Sequence, residues 1–337
     1  AQTAIDSLTN FVDSNPAARD ARLALARLLI SEKRYDDARG HFDRLLKENP
    51  DNPDVIYPVA MLALQHGDTT TGRTQLEHLL ETDFPDKSTI HFFLGQLDQE
   101  QKRPQDALEH YRQVTTGEQY IPARSRTAQI LIQQGKIDDA REVLHDTHSN
   151  SNADRTQLIL TESQLLREAN RQNDAYIVLE AALSAHPDNP ELLYETALTA
   201  ERIGKPEQLD KHLKHLLELK PEHAHALNAL GYSWAERNTR LPEAHDLIAK
   251  ALKLSPEDPF IMDSMGWVLF RQGKLPEALQ TLEKAYKLRA DPEIAAHLGE
   301  VLWTVNRKDD ARSLLNDAAK ANPDNEVLNL VIKKLFP

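Results

Sequence analysis

The chain contains no cysteine, and it has only three methionines and three tryptophans among its 337 residues. Without cysteine it can form no disulfide, no thiolate nucleophile and no cysteine-bound zinc site. It also contains no uninterrupted apolar run of about 18 residues, which is the shortest stretch that reads as a membrane-spanning helix. These absences exclude disulfide scaffolds, thiol enzymes and zinc fingers.

The compact motifs of the common enzyme classes are also missing. There is no HExxH helix, no phosphate-binding P-loop, no GxSxG elbow and no set of kinase motifs. His212 and His215 stand three residues apart, a spacing that a metal site can use, but we interpret them as solvated side chains. We therefore expect no catalytic residue, no metal and no cofactor.

The net charge is −13, and it is distributed unevenly. Residues 224–337 carry 15 basic and 16 acidic side chains, so the acidic excess lies in residues 1–223. Such a negative field repels nucleic acid, which we exclude as a partner, and it permits a basic protein partner.

What the sequence does contain is a pattern that repeats about every 34 residues. Gly231, Gly266 and Gly299 are 35 and 33 residues apart. Continued towards the N-terminus, the same position always holds a small residue, in the series Ala26, Ala60, Gly95, Ala128, Ser163, Ala197, Gly231, Gly266 and Gly299. A second series follows about 12 residues later: Ala38, Gly72, Ala107, Ala140, Ala175, Leu209, Ala244, Ala278 and Ala311. This period and pattern resemble the tetratricopeptide repeat (TPR), in which two helices cross at small side chains.

The pattern predicts an all-α superhelical TPR solenoid of about nine helix-turn-helix units. Residues 1–18 match only the second helix of a unit, so we expect further repeats to precede Ala1. Residues 19–223 form six units of weaker match, 224–325 form three units of strong match, and 326–337 form a capping helix. A Ser- and Asn-rich stretch at 147–154 predicts a longer loop and a joint. The units start near Arg19, Pro53, Ser88, Ile121, Thr156, Pro190, Ala224, Pro259 and Pro292.

In TPR proteins the first helix of each unit lines a concave groove, and positions 2, 5, 9 and 12 face it. By that register the groove carries an aromatic series: Tyr57, Phe92, Tyr194, Tyr232, Phe260, Trp267, Phe270 and Trp303. Aromatic side chains are frequent anchors of protein interfaces. Some of these rings can instead pack into the core of the next unit.

Position 9 of three successive units holds a glutamine, namely Gln96, Gln129 and Gln164. A carboxamide both donates and accepts, so it can pair with any peptide backbone. We predict that these amides hold an extended chain, with a merely solvated polar face as the alternative. The Lys and Asn of chaperone-tail clamps are missing from positions 5 and 9, which argues against a cytosolic co-chaperone.

Residues 224–325 resemble a particular group of TPR proteins. The resemblance is carried by the stretches HALNALGYSWAERNTRLPEAHDLIAKALKLSPEDPFIMDSMGWVLFRQGKLPEAL and DPEIAAHLGEVLW. These are similar to the C-terminal part of large proteobacterial outer-membrane lipoproteins. The best-known kind binds a periplasmic carboxy-terminal processing protease and presents cell-wall hydrolases for degradation.

The resemblance implies a periplasmic adaptor, tethered to the outer membrane by a lipidated N-terminal cysteine that this sequence does not contain. Its expected partners are the protease and the substrate proteins. Two alternatives stay open. One is an assembly scaffold for envelope machinery or pili, and the other is the repeat region of a larger enzyme whose catalytic domain lies elsewhere.

Overall fold

The computed structural model describes residues 1–149 and 151–336, and within them the chain forms twenty α-helices and no β-strand. The helices are α1 Gln2–Ser14, α2 Arg19–Ser31, α3 Tyr35–Glu48, α4 Pro53–Gln65, α5 Thr69–Glu81, α6 Lys87–Glu100, α7 Pro104–Arg112, α8 Tyr120–Gln133, α9 Ile137–His145, α10 Asn152–Glu168, α11 Gln172–Ala185, α12 Pro190–Arg202, α13 Pro206–Leu219, α14 Ala224–Glu236, α15 Leu241–Leu254, α16 Pro259–Arg271, α17 Leu275–Leu288, α18 Pro292–Thr304, α19 Lys308–Ala321 and α20 Glu326–Leu335. The predicted helical-repeat fold is confirmed, and each first helix begins within four residues of its predicted start.

The chain folds as two compact units, which we call unit 1 (Ala1–Thr161) and unit 2 (Glu162–Pro337). The division falls inside α10, a few residues after the stretch 147–154 that predicted a joint. Asn150 in that stretch and Pro337 in the predicted capping segment lie outside the described residues. Within the described ranges no helix is both long and apolar enough to cross a membrane.

Helix starts follow the Asn/Asp-Pro signals in the sequence. The Asp258 side chain accepts hydrogen bonds from the backbone N–H groups of Phe260 and Ile261, at 2.9 and 3.2 Å, while Pro259 opens α16. Asn189 caps α12 in the same way, ahead of Pro190. The carboxylate or amide satisfies N–H groups that have no partner within the helix, and proline loses nothing at a position whose N–H is unpaired.

Each turn between the two helices of a pair has a residue with a left-handed backbone two positions after the first helix ends, and the α14–α15 turn has a second one, Arg240, with φ 47°. Glycine takes this position in four turns, as expected from its missing Cβ. Lysine or asparagine takes it in the other five turns. The residues are Lys33, Gly67, Lys102, Gly135, Asn170, Gly204, Asn238, Gly273 and Asn306, with φ between 55° and 78°.

The two helices of a pair approach closely at the small residues that define the repeat. A Cβ added to Gly231 would lie 2.7 Å from Ile248 Cγ1 and 2.8 Å from the backbone oxygen of Ala244. At Gly266 it would lie 2.5 Å from Leu282 Cγ. All nine residues of each small-residue series are buried, Leu209 included. The steric reason given by the sequence pattern therefore holds at these crossings.

Candidate functional site

All of the predicted groove residues lie on first helices of helix pairs, and for Gln164 this helix is α10. Unit 1 carries Tyr57 on α4, Phe92 and Gln96 on α6, and Gln129 on α8. Unit 2 carries Gln164 on α10, Tyr194 on α12, Tyr232 on α14, Phe260, Trp267 and Phe270 on α16, and Trp303 on α18. The sequence register therefore placed each of them on the intended helix, and burial decides what each can contact.

In unit 1 the two aromatic residues differ. Tyr57 is partly exposed and stacks on Phe84, with ring centroids 5.3 Å apart. Phe92 is only 6% exposed and packs in a core cluster with Tyr111 and Ala123. Ala123 belongs to this cluster from the next first helix, α8. The prediction that Phe92 lines the groove is therefore corrected, because its ring is used inside the core.

The three glutamines are not equivalent. Gln96 and Gln129 are partly exposed, and neither side chain makes a hydrogen bond to another of the described residues. Gln164 is exposed, and its Nε2 donates to Glu168 Oε1 at 2.9 Å on the same helix. Gln96 and Gln129 belong to unit 1 and Gln164 to unit 2. The backbone-pairing role of these amides stays a prediction.

Unit 2 gathers side chains of three successive first helices into one network. His297 Nδ1 on α18 lies 2.8 and 3.0 Å from the two carboxylate oxygens of Asp263 on α16. On its other side, His297 Nε2 lies 3.4 Å from the hydroxyl oxygen of Tyr232 on α14. The Trp267 ring stacks on the His297 ring at 4.3 Å between centroids, and its Nε1 donates to Glu236 at 2.7 Å. We call these five residues the Tyr232 network.

The charges around the network favour a protonated histidine. Burial by itself lowers the pKa of His297, but the carboxylates of Asp263, Glu236 and Glu300 more than offset it, so the pKa is raised above its ordinary value. The pKa of the Tyr232 hydroxyl is also raised, first by burial and then by nearby carboxylates that include Glu236 and Asp263. The Tyr232 hydroxyl therefore stays protonated.

The predicted aromatic residues of unit 2 are buried to different extents. Trp267 is 4% exposed, so its ring is buried and forms part of the framework, which corrects the prediction that it lines the groove. The Phe270 ring packs on the Trp267 ring, with centroids 5.2 Å apart. Phe260 is 43% exposed, with the Arg289 guanidinium 4.9 Å from its ring centre. Tyr194 lies 5.4 Å from the His223 ring.

Trp303 is partly exposed and contacts Phe336, the residue that follows α20. Its ring lies 5.1 Å from that of Phe336, and the Lys308 ammonium lies 4.8 Å from its centre. All of the predicted aromatic residues of unit 2 except Trp267 therefore keep some exposed surface, namely Tyr194, Tyr232, Phe260, Phe270 and Trp303.

Sequence reasoning missed both His297 and Asp263 as functional residues. The signal that could have found the pair is its spacing, because the two residues are 34 positions apart. One repeat of separation places them on neighbouring first helices of the same unit.

The histidines that the sequence singled out lie elsewhere and are only partly solvated. His212 is 5% exposed, and its Nε2 lies 2.8 Å from Glu180, which also accepts from the Tyr176 hydroxyl. Burial lowers the pKa of His212 against the opposing effect of Glu180. His215 is exposed at 39% of its side chain and pairs with Asp188. The interpretation of His212 as solvated was wrong, because a carboxylate partner permits its burial.

Unit 1 contains a second buried polar cluster. The Asp98 carboxylate is 1% exposed and pairs with Arg73 and Arg103, each at 2.6 Å, and with His110 at 3.5 Å. His110 Nδ1 lies 3.1 Å from His91 Nδ1. Burial lowers the pKa of both histidines. The arginines balance the buried carboxylate, so this cluster reads as a structural ion network. No group of metal-binding side chains occurs among the described residues.

Comparison with known proteins establishes the family. The profile of the tetratricopeptide repeat family matches residues 1–55, 29–97, 99–154 and 269–333. These ranges cover more than half of the chain, so the chain belongs to the tetratricopeptide repeat family. It is a repeat protein of the protein-binding scaffold type, a fold that is typically non-catalytic.

A relative among characterised sequences is the TPR repeat-containing protein PA4667 of Pseudomonas aeruginosa. It is 41% identical over 210 residues, which are 62% of this chain and 36% of that protein. The chain thus spans little more than a third of the length of that relative.

Among solved structures, the chain is similar to the TPR protein TTC0263 of Thermus thermophilus, with a TM-score of 0.49, 23% identity, and coverage of 53% of this chain and 97% of that one. It is also similar to MamA of Desulfovibrio magneticus, with a TM-score of 0.42, 16% identity, and coverage of 50% and 96%.

Proposed function

We propose that this chain is a non-enzymatic adaptor that binds protein partners along the first helices of its repeats and brings substrate proteins to a periplasmic carboxy-terminal processing protease. The observation that carries the binding role is the surface of unit 2 around the Tyr232 network. There, the partly exposed Tyr232 joins a hydrogen-bonded framework from three helices, and Phe260 and Trp303 keep exposed surface on two of the same helices. Rigid aromatic rings lose little entropy when a partner covers them.

The protease and the compartment come from the resemblance of residues 224–325 to outer-membrane lipoprotein adaptors. An adaptor needs no reactive group, because holding the substrate beside a protease raises its effective concentration. The acidic excess of residues 1–223 favours partners with basic surfaces. A lipid anchor at the outer membrane and turnover of cell-wall hydrolases are parts of the same proposal.

The test is reconstituted proteolysis. A purified carboxy-terminal processing protease is mixed with a cell-wall hydrolase, with and without this chain, and the initial rate of substrate loss is measured. We expect the chain to accelerate degradation, and Phe260→Ala to weaken the acceleration, because truncating an interface aromatic costs about 1–2 kcal/mol of binding.

Leu288→Ala is the matched control, since Leu288 is a large exposed apolar residue (52%) on the second helix α17. It should leave the acceleration unchanged. If the protease alone degrades its substrate at the full rate, the adaptor proposal is wrong. Binding of either protein without acceleration would indicate an assembly scaffold instead.

A further inference from the structure

The Tyr232 network leaves one hydrogen-bond donor without a protein acceptor. Protonated His297 has two N–H groups, and it donates one from Nδ1 to Asp263. The other N–H, at Nε2, can donate only to the Tyr232 oxygen, at 3.4 Å. Among the described residues the Tyr232 hydroxyl has no other hydrogen-bond partner. Its own proton must then point away from His297.

We propose that Tyr232 donates this proton to a carbonyl oxygen of the bound polypeptide, and that His297 switches the donor on and off. This inference rests on the proposed function, since it takes the ligand to be a polypeptide. With His297 protonated, the Tyr232 oxygen accepts from Nε2 and its proton faces the ligand. With His297 neutral, Nδ1 keeps its proton on Asp263 and Nε2 becomes an acceptor. Tyr232 then donates to His297 and offers the ligand no proton.

The switch is set by the charges that face His297. They are Asp263 on α16, Glu236 on α14 and Glu300 on its own helix, all of which favour the protonated ring. Two cations lie beside members of this group. Arg271 lies 5.8 Å from the centre of the Trp267 ring that stacks on His297, and Lys334 pairs with Glu300 at 2.7 Å.

Glu201 and Glu293 add further negative charge near the Tyr232 hydroxyl. The carboxylates therefore outnumber the two cations, and they place the loss of the donor above the ordinary pKa of histidine.

The experiment measures binding of three unstructured peptides by fluorescence anisotropy between about pH 6 and about pH 9. The peptides are built from repeats of Gly-Leu-Lys, Gly-Leu-Gln or Gly-Leu-Glu, have blocked termini, and carry tetramethylrhodamine, a label whose fluorescence does not change with pH in this range. The carboxylates near Tyr232 favour the lysine series. The glutamine series carries no titrating side chain, so its pH dependence comes from the protein. We expect affinity to fall about threefold to tenfold as His297 loses its proton, which is the contribution of one hydrogen bond.

Tyr232→Phe removes a single oxygen and should lower affinity about threefold to tenfold at the acidic end, with little change at the basic end. His297→Gln should abolish the pH dependence. Tyr286→Phe, on the second helix α17, is the matched control and should behave as the unsubstituted chain does. Circular dichroism checks that each variant keeps its helices. If His297→Gln does not fold, Tyr232→Phe decides alone.

The outcomes separate the two proposals. If the peptides bind and Tyr232→Phe binds as tightly as the unsubstituted chain at every pH, the donor role is wrong and the scaffold function stands. The donor role is equally wrong if the pH dependence survives in a folded His297→Gln variant. If no peptide binds, both the donor role and the polypeptide-binding role of this surface are wrong.

Discussion

Gly231 tests the close crossing of helices directly, because it stands where α14 meets α15 and precedes the tyrosine of the proposed binding surface. Gly231→Ala adds one Cβ that would lie 2.8 Å from the backbone oxygen of Ala244 and 2.7 Å from Ile248. Ile248 can rotate, whereas the Ala244 oxygen belongs to a helix and can move only with it.

Two effects oppose each other in this variant. Alanine favours the helix by about 1 kcal/mol over glycine. Overpacking a filled core costs about 1–3 kcal/mol, and the upper part of that range applies here because a backbone atom must move. We expect Gly231→Ala to lower the free energy of unfolding by about 1–2 kcal/mol.

Gly40 is the matched control, since it lies in the middle of α3 and a Cβ there meets nothing within 4 Å. Gly40→Ala should raise the free energy of unfolding by about 0.8–1 kcal/mol. Urea unfolding is followed by circular dichroism, which reports all helices, and by tryptophan fluorescence. All three tryptophans, Trp234, Trp267 and Trp303, lie in unit 2, so fluorescence follows the unit that contains Gly231. A Gly231→Ala chain as stable as the unsubstituted one would refute the close approach.

Three further predictions follow from residues described above. Phe92→Ala should lower the free energy of unfolding by about 3–5 kcal/mol in urea, because it removes a ring from the core. Unchanged stability would show that the Phe92 ring is not part of the core. Burial lowers the pKa of His91 and His110 in the folded state, so unfolding takes up protons below pH 6.5. The free energy of unfolding should be full above pH 6.5 and should fall as the pH drops from there through the lowered pKa values, with a smaller fall in His91→Gln. A urea midpoint that does not change with pH would contradict this. A variant with alanine at all three glutamines, Gln96, Gln129 and Gln164, should bind unfolded segments more weakly in calorimetry and keep its helicity. Equal affinity would exclude the proposed role of the amides.

The period, the helix starts and the caps could be read from the sequence because each has a local chemical cause. Asn189 before Pro190 satisfies free N–H groups wherever that pair occurs. Only the glycines among the left-handed turn residues can be predicted from the sequence. Gly67 signals such a turn, but Lys33 and Lys102 have no local signature, because the surrounding helices impose the conformation on them.

The candidate site shows the same division between local and tertiary causes. The repeat register placed Phe92 on the right helix, but the core cluster that takes up its ring includes Ala123 on α8, which belongs to the next repeat. Likewise, nothing near His297 in the sequence indicates a carboxylate partner. Asp263 stands a full repeat away, and only the stacking of α16 and α18 brings the two together.

The left-handed turns have a consequence for how such a chain can diversify. The chain reverses direction at one backbone setting that glycine, lysine and asparagine all adopt here, so the turn makes no demand on the helices that flank it. A second helix and the first helix that follows it can therefore be exchanged as a cassette between two such turns, carrying their own surface side chains with them. Recognition of a new partner would then require substitutions on first helices alone, while the spacing of the repeats stays fixed.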